Sequence, residues 1–515
     1  MSRTAVFRRG AALACAALGL ALALEPASAE DDAALAELRR MMEALHQENA
    51  QMRETMKQMQ GELESARQDA RAARDAAEQA GSRASAAPDV AARGGDAPEA
   101  SGDALLSRRV GRANLQLLDL SLDVLTAAGW SDADDDELAD LQGGGHDPNQ
   151  RGFTLQQVEL SFLGAVDPYF TGEAHLIYFL DAEGESNFEI EEASATTTRL
   201  PFGLERRGLQ LELGQFFTEF GRLNPRHPHQ WDWQDQPIVN TRFFGGDGMR
   251  GPGFRAGWLT PLPWFSEIHV GLQNAKGETM PSFLASDEVF EERAIGGRPF
   301  ASSGVRSSDD LVHLARWVNG FDLSDEVSTQ IGVSGLWGPN ATGSGGSTHV
   351  YGADVVLKWQ PIPSDAGWPF LQLEAEAMYR RYGADDFFGC LGEEGECEAG
   401  EMPISLEDDV LRDWGGYAQL LWGFHRRWAA GLRGEYASGQ GANFDAETAA
   451  FVDRDEDPFR ATRWRVSPLL VFQATEFSRL RLQYNYDDAR HLSSNAHSVW
   501  AGFEFSFGAH AAHAY

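Results

Sequence analysis

Residues 477–488, FSRLRLQYNYDD, alternate apolar and polar side chains at every second position. Leu480, Leu482 and Tyr484 fall on one face of an extended chain, and the polar side chains fall on the other. Residues 112–126 and 369–382 repeat this alternation. These segments are about 10–14 residues long. They are longer than the usual strand of a soluble protein and close to the length of a strand that crosses a bilayer at a tilt. The pattern therefore predicts membrane-spanning β-strands.

The same alternation recurs along most of the chain and defines about 16 segments. They are residues 112–126, 153–166, 170–182, 186–197, 207–218, 251–260, 264–274, 308–320, 326–338, 347–360, 369–382, 411–425, 427–438, 461–474, 477–488 and 497–508. Long polar connections at 131–152, 219–250, 275–307, 383–410 and 439–460 alternate with short ones. In lipid an open sheet edge costs several kcal/mol for each unpaired backbone group, so we expect a closed antiparallel barrel over 110–515.

Aromatic residues cluster near the ends of these segments, as in the interfacial girdles of transmembrane barrels. They are Trp130, Tyr169, Phe170, Trp258, Trp264, Trp422, Trp428, Trp464 and Trp500. The alternative is that these large side chains fill a soluble core.

Residues 1–29 have the organisation of an export signal. Arg3, Arg8 and Arg9 precede an apolar run over 11–24, and a small-x-small cleavage site follows at 27–29. We predict that the mature chain begins at Glu30, outside the cytoplasm, and that the barrel lies in a bacterial outer membrane.

Residues 30–80 carry apolar side chains at the a and d positions of about seven heptads. Leu35, Leu38, Met42 and Leu45 begin this series, and Asn49 is a polar insert at an a position. The pattern predicts an α-helical coiled coil in the periplasm that joins two or three chains; a single solvated helix is the alternative. Residues 81–109, rich in Ala, Gly, Ser and Pro, are predicted to be a flexible linker.

The chain has 43 Lys and Arg against 78 Asp and Glu, a net charge of −35. This balance argues against a nucleic-acid partner, which requires a basic surface. The sequence contains no P-loop, nucleophile elbow or HExxH motif, and we predict that the protein is not an enzyme.

Several motifs between 151 and 221 resemble porins of the phosphate-selective O/P type. They include Asp167-Pro168-Tyr169-Phe170 and the stretch 211–217, LELGQFF, followed by Phe220-Gly221. The resemblance implies a trimeric, 16-stranded outer-membrane channel for passive diffusion, often with a coil before the barrel. It does not imply phosphate as the solute.

Two further segments resemble barrel proteins that are often labelled zinc-regulated TonB-dependent outer-membrane receptors. They are HPHQWDW at 227–233 and GAHAAHAY at 508–515. This resemblance implies a metal-linked binding or uptake function.

The loop 219–250 is the third connection on the side of the barrel that carries the long loops. That loop commonly folds inward in 16-stranded porins, and we expect it to form the channel constriction. The expected constriction residues are His227, His229, Trp231, Asp232 and Asp235. Since His227 and His229 lie two residues apart, an extended chain would present both imidazoles to one metal such as zinc; the alternative is that they hydrogen-bond within a folded loop. No other cofactor is expected. His510 and His513 are a second metal candidate, or simply solvated.

Six charged side chains of the predicted strands are expected to face the pore. They are Arg463, Arg465, Arg479, Arg481, Glu374 and Glu376. Facing rows of opposite charge would set a transverse field across the channel, whereas ordinary cross-strand pairing would only support the wall. Cys390 and Cys397 are close enough in an exported chain to predict a loop disulfide.

These observations favour an outer-membrane porin that passes small solutes or ions, in contact with membrane lipid and assembled as a homo-oligomer, a trimer through the coil. Two alternatives remain: a zinc-linked binding or uptake protein, and a structural barrel whose coil tethers the envelope.

Overall fold

The fold was analysed in a computed structural model of the chain. The structure describes residues 107–110, 113–116, 118–181, 184–287, 289, 293–301, 304–390, 403–446 and 448–508. The chain divides into two units, 1–99 and 100–515, and all described residues belong to the second. The predicted signal, the coiled coil, nearly all of the linker, Cys397, His510 and His513 lie outside the described residues.

Sixteen antiparallel strands form one closed barrel in the order in which they occur along the chain. The strands are β1 Asp119–Ser131, β2 Gly152–Ala165, β3 Phe170–Leu180, β4 Ser186–Thr197, β5 Leu209–Phe217, β6 Arg250–Leu259, β7 Phe265–Asn274, β8 Leu311–Ser324, β9 Val327–Pro339, β10 Ser347–Trp359, β11 Phe370–Ala384, β12 Asp409–His425, β13 Trp428–Gln440, β14 Arg463–Thr475, β15 Ser478–Ala489 and β16 Ala496–Gly508. The barrel closes where β16 pairs with β1, from Ser498 opposite Ser131 to Gly508 opposite Ser121. The predicted number of strands and their antiparallel arrangement are confirmed.

The largest difference from the predicted strands is at β1, which was expected at 112–126 and spans Asp119–Ser131. Its register shifts between Leu125 and Thr126, and the strand then continues through small residues that carry no clear alternation. Residues 113–116 instead pair with 107–110 as a separate hairpin.

The two faces of the barrel wall differ as the alternation predicted. On β15, Leu482 faces outward with 51% of its surface exposed, whereas its neighbours Arg481 and Gln483 face inward and are buried. Most of the aromatic residues expected at the strand ends are also on the outer surface, among them Trp130 and Tyr169. Trp500 differs, because it faces inward and packs in a cluster with Leu138 and Leu141 of the loop between β1 and β2.

The five longest connections lie at one end of the barrel, and most of the short turns lie at the other. Between β1 and β2 lies α1, Asp135–Leu141, which begins with a capping box at Asp134. The connection between β5 and β6 contains a 3₁₀ turn at Pro228–Gln230 and α2, Ile238–Phe244. Neither of these helices, nor any other in the described part of the chain, is long and apolar enough to cross a membrane. Shorter strand pairs, 387–389 with 404–406 and 443–445 with 450–452, extend two other long loops.

The outward position of Leu482 can be tested by charge. Leu482→Lys places an ammonium group at mid-strand on the surface that we assign to lipid, and we expect the free energy of unfolding in lipid to fall by about 2–4 kcal/mol. The matched control is Leu262→Lys in the short β6–β7 turn, where Leu262 is similarly exposed and the cost should be about 0–1 kcal/mol. Equal effects at the two positions, measured by urea titration in vesicles, would contradict a lipid-facing wall.

Candidate functional site inside the barrel

Residues 218–249, here called the lumen segment, leave β5 and cross the interior of the barrel. The indole Nε1 of Trp233 donates to the Ser467 carbonyl on β14 at 2.9 Å, and the Gln234 amide donates to Gln483 Oε1 on β15 at 2.8 Å. The Ile238 amide donates to Glu435 Oε2 on β13 at 2.7 Å. Since β5 and β13 are on opposite sides of the ring, the lumen segment spans the lumen.

Gly221 allows the chain to turn inward at the start of the lumen segment. Its φ is +64°, a left-handed conformation that favours glycine. A Cβ at this position would overlap the Glu376 carboxylate. The backbone therefore approaches the wall more closely here than any other residue type allows.

Asp235 is the central polar contact of the lumen segment with the wall. Its carboxylate pairs with the Arg433 guanidinium and, at 3.0 Å, with Arg465, and accepts hydrogen bonds from Gln483 and Asn485 at 2.7 Å each. Burial alone would raise the pKa of Asp235, but the two guanidiniums lower it to about 2. Asp235 is therefore an anion that holds the segment against β13–β15.

The four arginines expected to line a pore all face the lumen, where they bind inward-folded loops. Arg479 donates to the carbonyls of His229 and Trp231 at 2.7 and 2.8 Å. Arg481 donates to the carbonyls of Trp231 and Trp233 at 3.2 and 3.0 Å.

The other two arginines hold a different loop. Arg463 and Arg465 both donate to the Leu141 carbonyl at the end of α1, at 2.7 and 2.6 Å, and both pair with Asp487. A helix C-terminus carries partial negative charge, so cations are favoured there.

The two predicted pore-lining carboxylates receive the first residues of the lumen segment. Glu374 Oε2 lies 3.4 Å from both Arg222 Nε and Arg226 Nη1. The Tyr417 hydroxyl donates to Glu374 at 3.1 Å and lies 3.2 Å from Glu376. Both carboxylates are buried.

An apolar cluster secures the rest of the lumen segment. Phe220, Val239, Phe243 and Phe244 are almost fully buried, and they pack against side chains of the wall and of the next long loop. The wall members of this cluster are Val312, Leu314, Leu336, Val350, Met378 and Tyr417. Where this apolar cluster lies, the barrel interior is filled by close-packed side chains.

His227 enters a group of carboxylates on β2 and β4, a different part of the wall from the strands that hold Asp235. Its Nδ1 lies 2.7 Å from Glu191 Oε2 and 3.6 Å from Glu159 Oε2, and its Nε2 lies 2.9 Å from Glu192 Oε2. The ring of His175 on β3 lies 4.4 Å from the His227 ring, centroid to centroid. Burial lowers the pKa of His227, but the Glu159 and Glu191 carboxylates outweigh it and raise that pKa well above its usual range.

The remaining predicted constriction residues also lie within the lumen segment. His229 Nδ1 is 3.0 Å from Glu159 Oε2, and the Trp231 indole donates to the Arg226 carbonyl at 3.0 Å. Asp232 Oδ2 accepts from Gln372 at 3.4 Å. Cys390 is disulfide-bonded in the long loop after β11.

The sequence analysis missed the wall residues that face His227. Glu159, His175, Glu191 and Glu192 lie on β2, β3 and β4, and they are not part of any local motif. Glu159, His175 and His227 each offer one ligand atom within 4.8 Å of the others, an arrangement that can hold a metal ion. Inward parity on the predicted strands points to Glu159, His175 and only one of the adjacent Glu191 and Glu192.

A cavity of about 2260 Å³ opens at the short-turn end of the barrel. Its deep side includes Arg222, Arg226, His229 and Asp232 of the lumen segment, and its rim includes Trp264, Glu326 and Phe477 from the short turns. Polar and charged side chains at its deep side make it suitable for water and small ions.

Comparison with known proteins gives one curated relative of similar length. No family model matches the chain. An uncharacterized protein of Aquifex aeolicus (strain VF5) is 28% identical over 407 residues, which cover 74% of this chain and 76% of the relative.

Solved structures similar to the chain are outer-membrane channels and porins. The outer membrane channel DcaP of Acinetobacter baumannii aligns with a TM-score of 0.43 at 12% identity, over 76% of this chain and 97% of that one. The anion-selective porin from Comamonas acidovorans aligns with a TM-score of 0.44 at 7% identity, over 76% and 99%. OprB of Pseudomonas putida gives 0.42 at 12% identity, over 76% and 94%.

Gly221 provides a test of the inward course of the lumen segment. We expect Gly221→Ala to lower the free energy of unfolding by about 1–3 kcal/mol and to expose the segment to protease, because alanine is strained at this φ and its Cβ meets Glu376. Gly434→Ala is the control, since a Cβ there has no heavy atom within 4 Å. Limited proteolysis with mass spectrometry measures the cleavage; unchanged protection in Gly221→Ala would refute the close approach.

Proposed function

We propose that this protein is a porin-type channel of the bacterial outer membrane that passes small solutes or ions, and that the lumen segment controls the passage. The observation that carries the proposal is a closed 16-stranded wall with an apolar outside and a polar, charged inside. A surface of this kind is stable when lipid surrounds it, and it separates an aqueous interior from that lipid.

The outer surface supports the membrane location. Large apolar side chains are exposed on strand after strand, such as Leu213, Val270, Leu432 and Leu482. Soluble monomers rarely expose a continuous apolar surface, because the hydrophobic effect disfavours it. A ring of such side chains around a closed barrel fits the hydrocarbon layer.

The interior supports the passage of hydrophilic solutes. The cavity at the short-turn end leads directly to the lumen segment, where Arg222, Arg226 and Asp232 meet it. Farther from the short-turn end, the lumen segment fills the barrel interior. It is held there by polar contacts with the wall and by the apolar cluster around Phe243 and Phe244. Its displacement would connect the two ends of the barrel, so we assign it the role of a gate.

Electrical recording tests the channel directly. Full-length protein reconstituted into planar bilayers should produce stepwise ion conductance that fluctuates between low and high levels as the lumen segment moves. A correctly folded barrel that produces no steps at any voltage would refute the channel.

Asp235→Asn tests the role of the lumen segment. The variant removes one of the two carboxylates paired with each of the buried Arg433 and Arg465, which keep Glu435 and Asp487. The cost is up to about 3–5 kcal/mol, and it falls on the contact between segment and wall. Such a change shifts a closed-to-open equilibrium by more than tenfold, so we expect longer and more frequent openings.

The control for that experiment is Asp386→Asn, the same substitution at an exposed loop position. It should conduct like the wild type. Equal open probability in the two variants, with both correctly folded, would exclude Asp235 as the anchor of the gate.

We further propose that residues 30–80 join the chains into an oligomer, with the trimer as the expected form. The heptad pattern supports this assignment. Deleting residues 30–80 should convert cross-linked oligomers to monomers on gels while single-channel conductance persists. If the oligomer remains intact and envelope integrity is lost instead, the segment acts as a tether.

A further inference from the structure

We propose that Glu159, His175 and His227 form a binding site for one divalent transition-metal ion such as zinc, which ties the lumen segment to the barrel wall. The inference goes beyond the proposed channel function, and its binding tests stay valid if the barrel shows no conductance.

The two imidazoles present the same edge to the same carboxylate. Glu159 Oε1 lies 2.8 Å from His175 Nδ1, and Glu159 Oε2 lies 3.6 Å from His227 Nδ1. Ligand atoms of a tetrahedral zinc ion, with bonds of about 2.0–2.1 Å, are separated by about 3.3 Å. The observed separations bracket this value, so small side-chain movements would complete the coordination.

The opposite edges of the two rings meet a second carboxylate. Glu192 Oε2 lies 2.9 Å from His227 Nε2 and 3.9 Å from His175 Nε2. Metal-bound histidines usually donate their other ring N–H to a carboxylate, which fixes the tautomer and the ring orientation. Glu192 is thus placed to orient both rings while their Nδ1 atoms bind the ion.

The charge of the site also fits a divalent cation. Glu159, Glu191 and Glu192 bring three carboxylates together at this level, and all three contact His227. Two guanidiniums lie on this side: Arg250, 3.9 Å from Glu191, also pairs with Glu189, and Arg255 pairs with Glu212 and Glu219. With neutral imidazoles the group keeps an excess of negative charge, which a divalent ion would offset.

Glu191 provides a second, independent observation. Its carboxylate is buried, and its Oε1 atom makes no hydrogen bond among the described residues, although His146 Nε2 and Arg250 Nη1 each lie 3.9 Å away. A buried carboxylate oxygen without a hydrogen bond is costly unless another group or an ion satisfies it. Glu191 Oε2 lies 2.7 Å from His227 Nδ1, so this carboxylate is the nearest further ligand for an ion at that atom.

We infer that an ion enters the site from the short-turn end of the barrel. His229 lines the large cavity, and its Nδ1 is 3.0 Å from Glu159 Oε2. The ligands come from β2, β3 and the lumen segment. Binding would therefore link two wall strands to the gate, and we expect it to hold the gate closed.

Zinc titration of the full-length protein by calorimetry tests the site. The background for every measurement is His510→Ala/His513→Ala, which removes the histidines of the C-terminal tail as competing ligands. We expect one zinc ion per chain in that background. Adding His175→Ala should weaken binding at least tenfold, and Glu192→Gln should weaken it by about 10–100-fold as a positioning residue. His425→Ala, an exposed histidine on a short turn, is the control and should bind as the background does.

A second measurement does not depend on those variants folding. X-ray absorption of the zinc-loaded background protein should show nitrogen and oxygen ligands with the scattering of two imidazoles.

In planar bilayers, zinc should lower the open probability of the background protein and leave that of His175→Ala unchanged. Loss of all zinc binding in the tail variant, unchanged affinity in folded His175→Ala, or a spectrum without imidazole would each overturn the site.

Discussion

The buried carboxylate of Asp235 supplies negative charge to a part of the barrel wall that has an excess of buried guanidinium groups. Strands β13–β15 place the guanidiniums of Arg433, Arg463 and Arg465 in the interior, together with the carboxylates of Glu435 and Asp487. Around Asp235 these are three guanidiniums against two carboxylates, whereas Arg479 and Arg481 of β15 pair with Glu504 of β16. An uncompensated charge is expensive in a buried environment. Asp235 supplies the missing anion, and the lumen segment must stay in the lumen to deliver it.

A second part of the wall poses the reverse problem, and the same segment answers it. Strands β2 and β4 place Glu159, Glu191 and Glu192 in the interior, and the lumen segment presents His227 and His229 to them. The segment thus carries basic groups where it meets an acidic wall and an acidic group where it meets a basic one. This charge complementarity fixes the direction in which the lumen segment crosses the barrel. The apolar cluster around Phe243 stabilises the segment by hydrophobic packing, which is not directional.

The sequence alone predicted the wall well because strand parity is a local property. The spacing of Leu480 and Leu482 identifies an outward face within a few residues. The strand can therefore be predicted without knowledge of the strands that pair with it. The course of the lumen segment depends on pairs such as Asp235 with Arg433, which lie 198 residues apart. No local pattern records such a pair. The sequence could therefore identify the loop and its polar residues, but not the side chains that hold them.

The carboxylates around His227 show a second limit, because a β-bulge hides them. His175 pairs with Glu192, Leu176 pairs with Ile190, and Glu191 is the extra residue between them. The bulge lets Glu191 and Glu192 both contact His227, although consecutive strand residues normally face opposite sides. Simple alternation would have assigned one of them to the lipid face.

In the proposed channel, the gate and the conduction path share the same charged groups. When the lumen segment is in place, its charged groups pair with those of both parts of the wall. When it moves away, the arginines of β13–β15 and the glutamates of β2 and β4 would line the water-filled lumen. Facing rows of opposite charge set a transverse field that orients dipolar solutes and selects among ions. The charges that hold the closed state are therefore also those that would line the open one, so a substitution that weakens the gate also changes the selectivity of the path it opens.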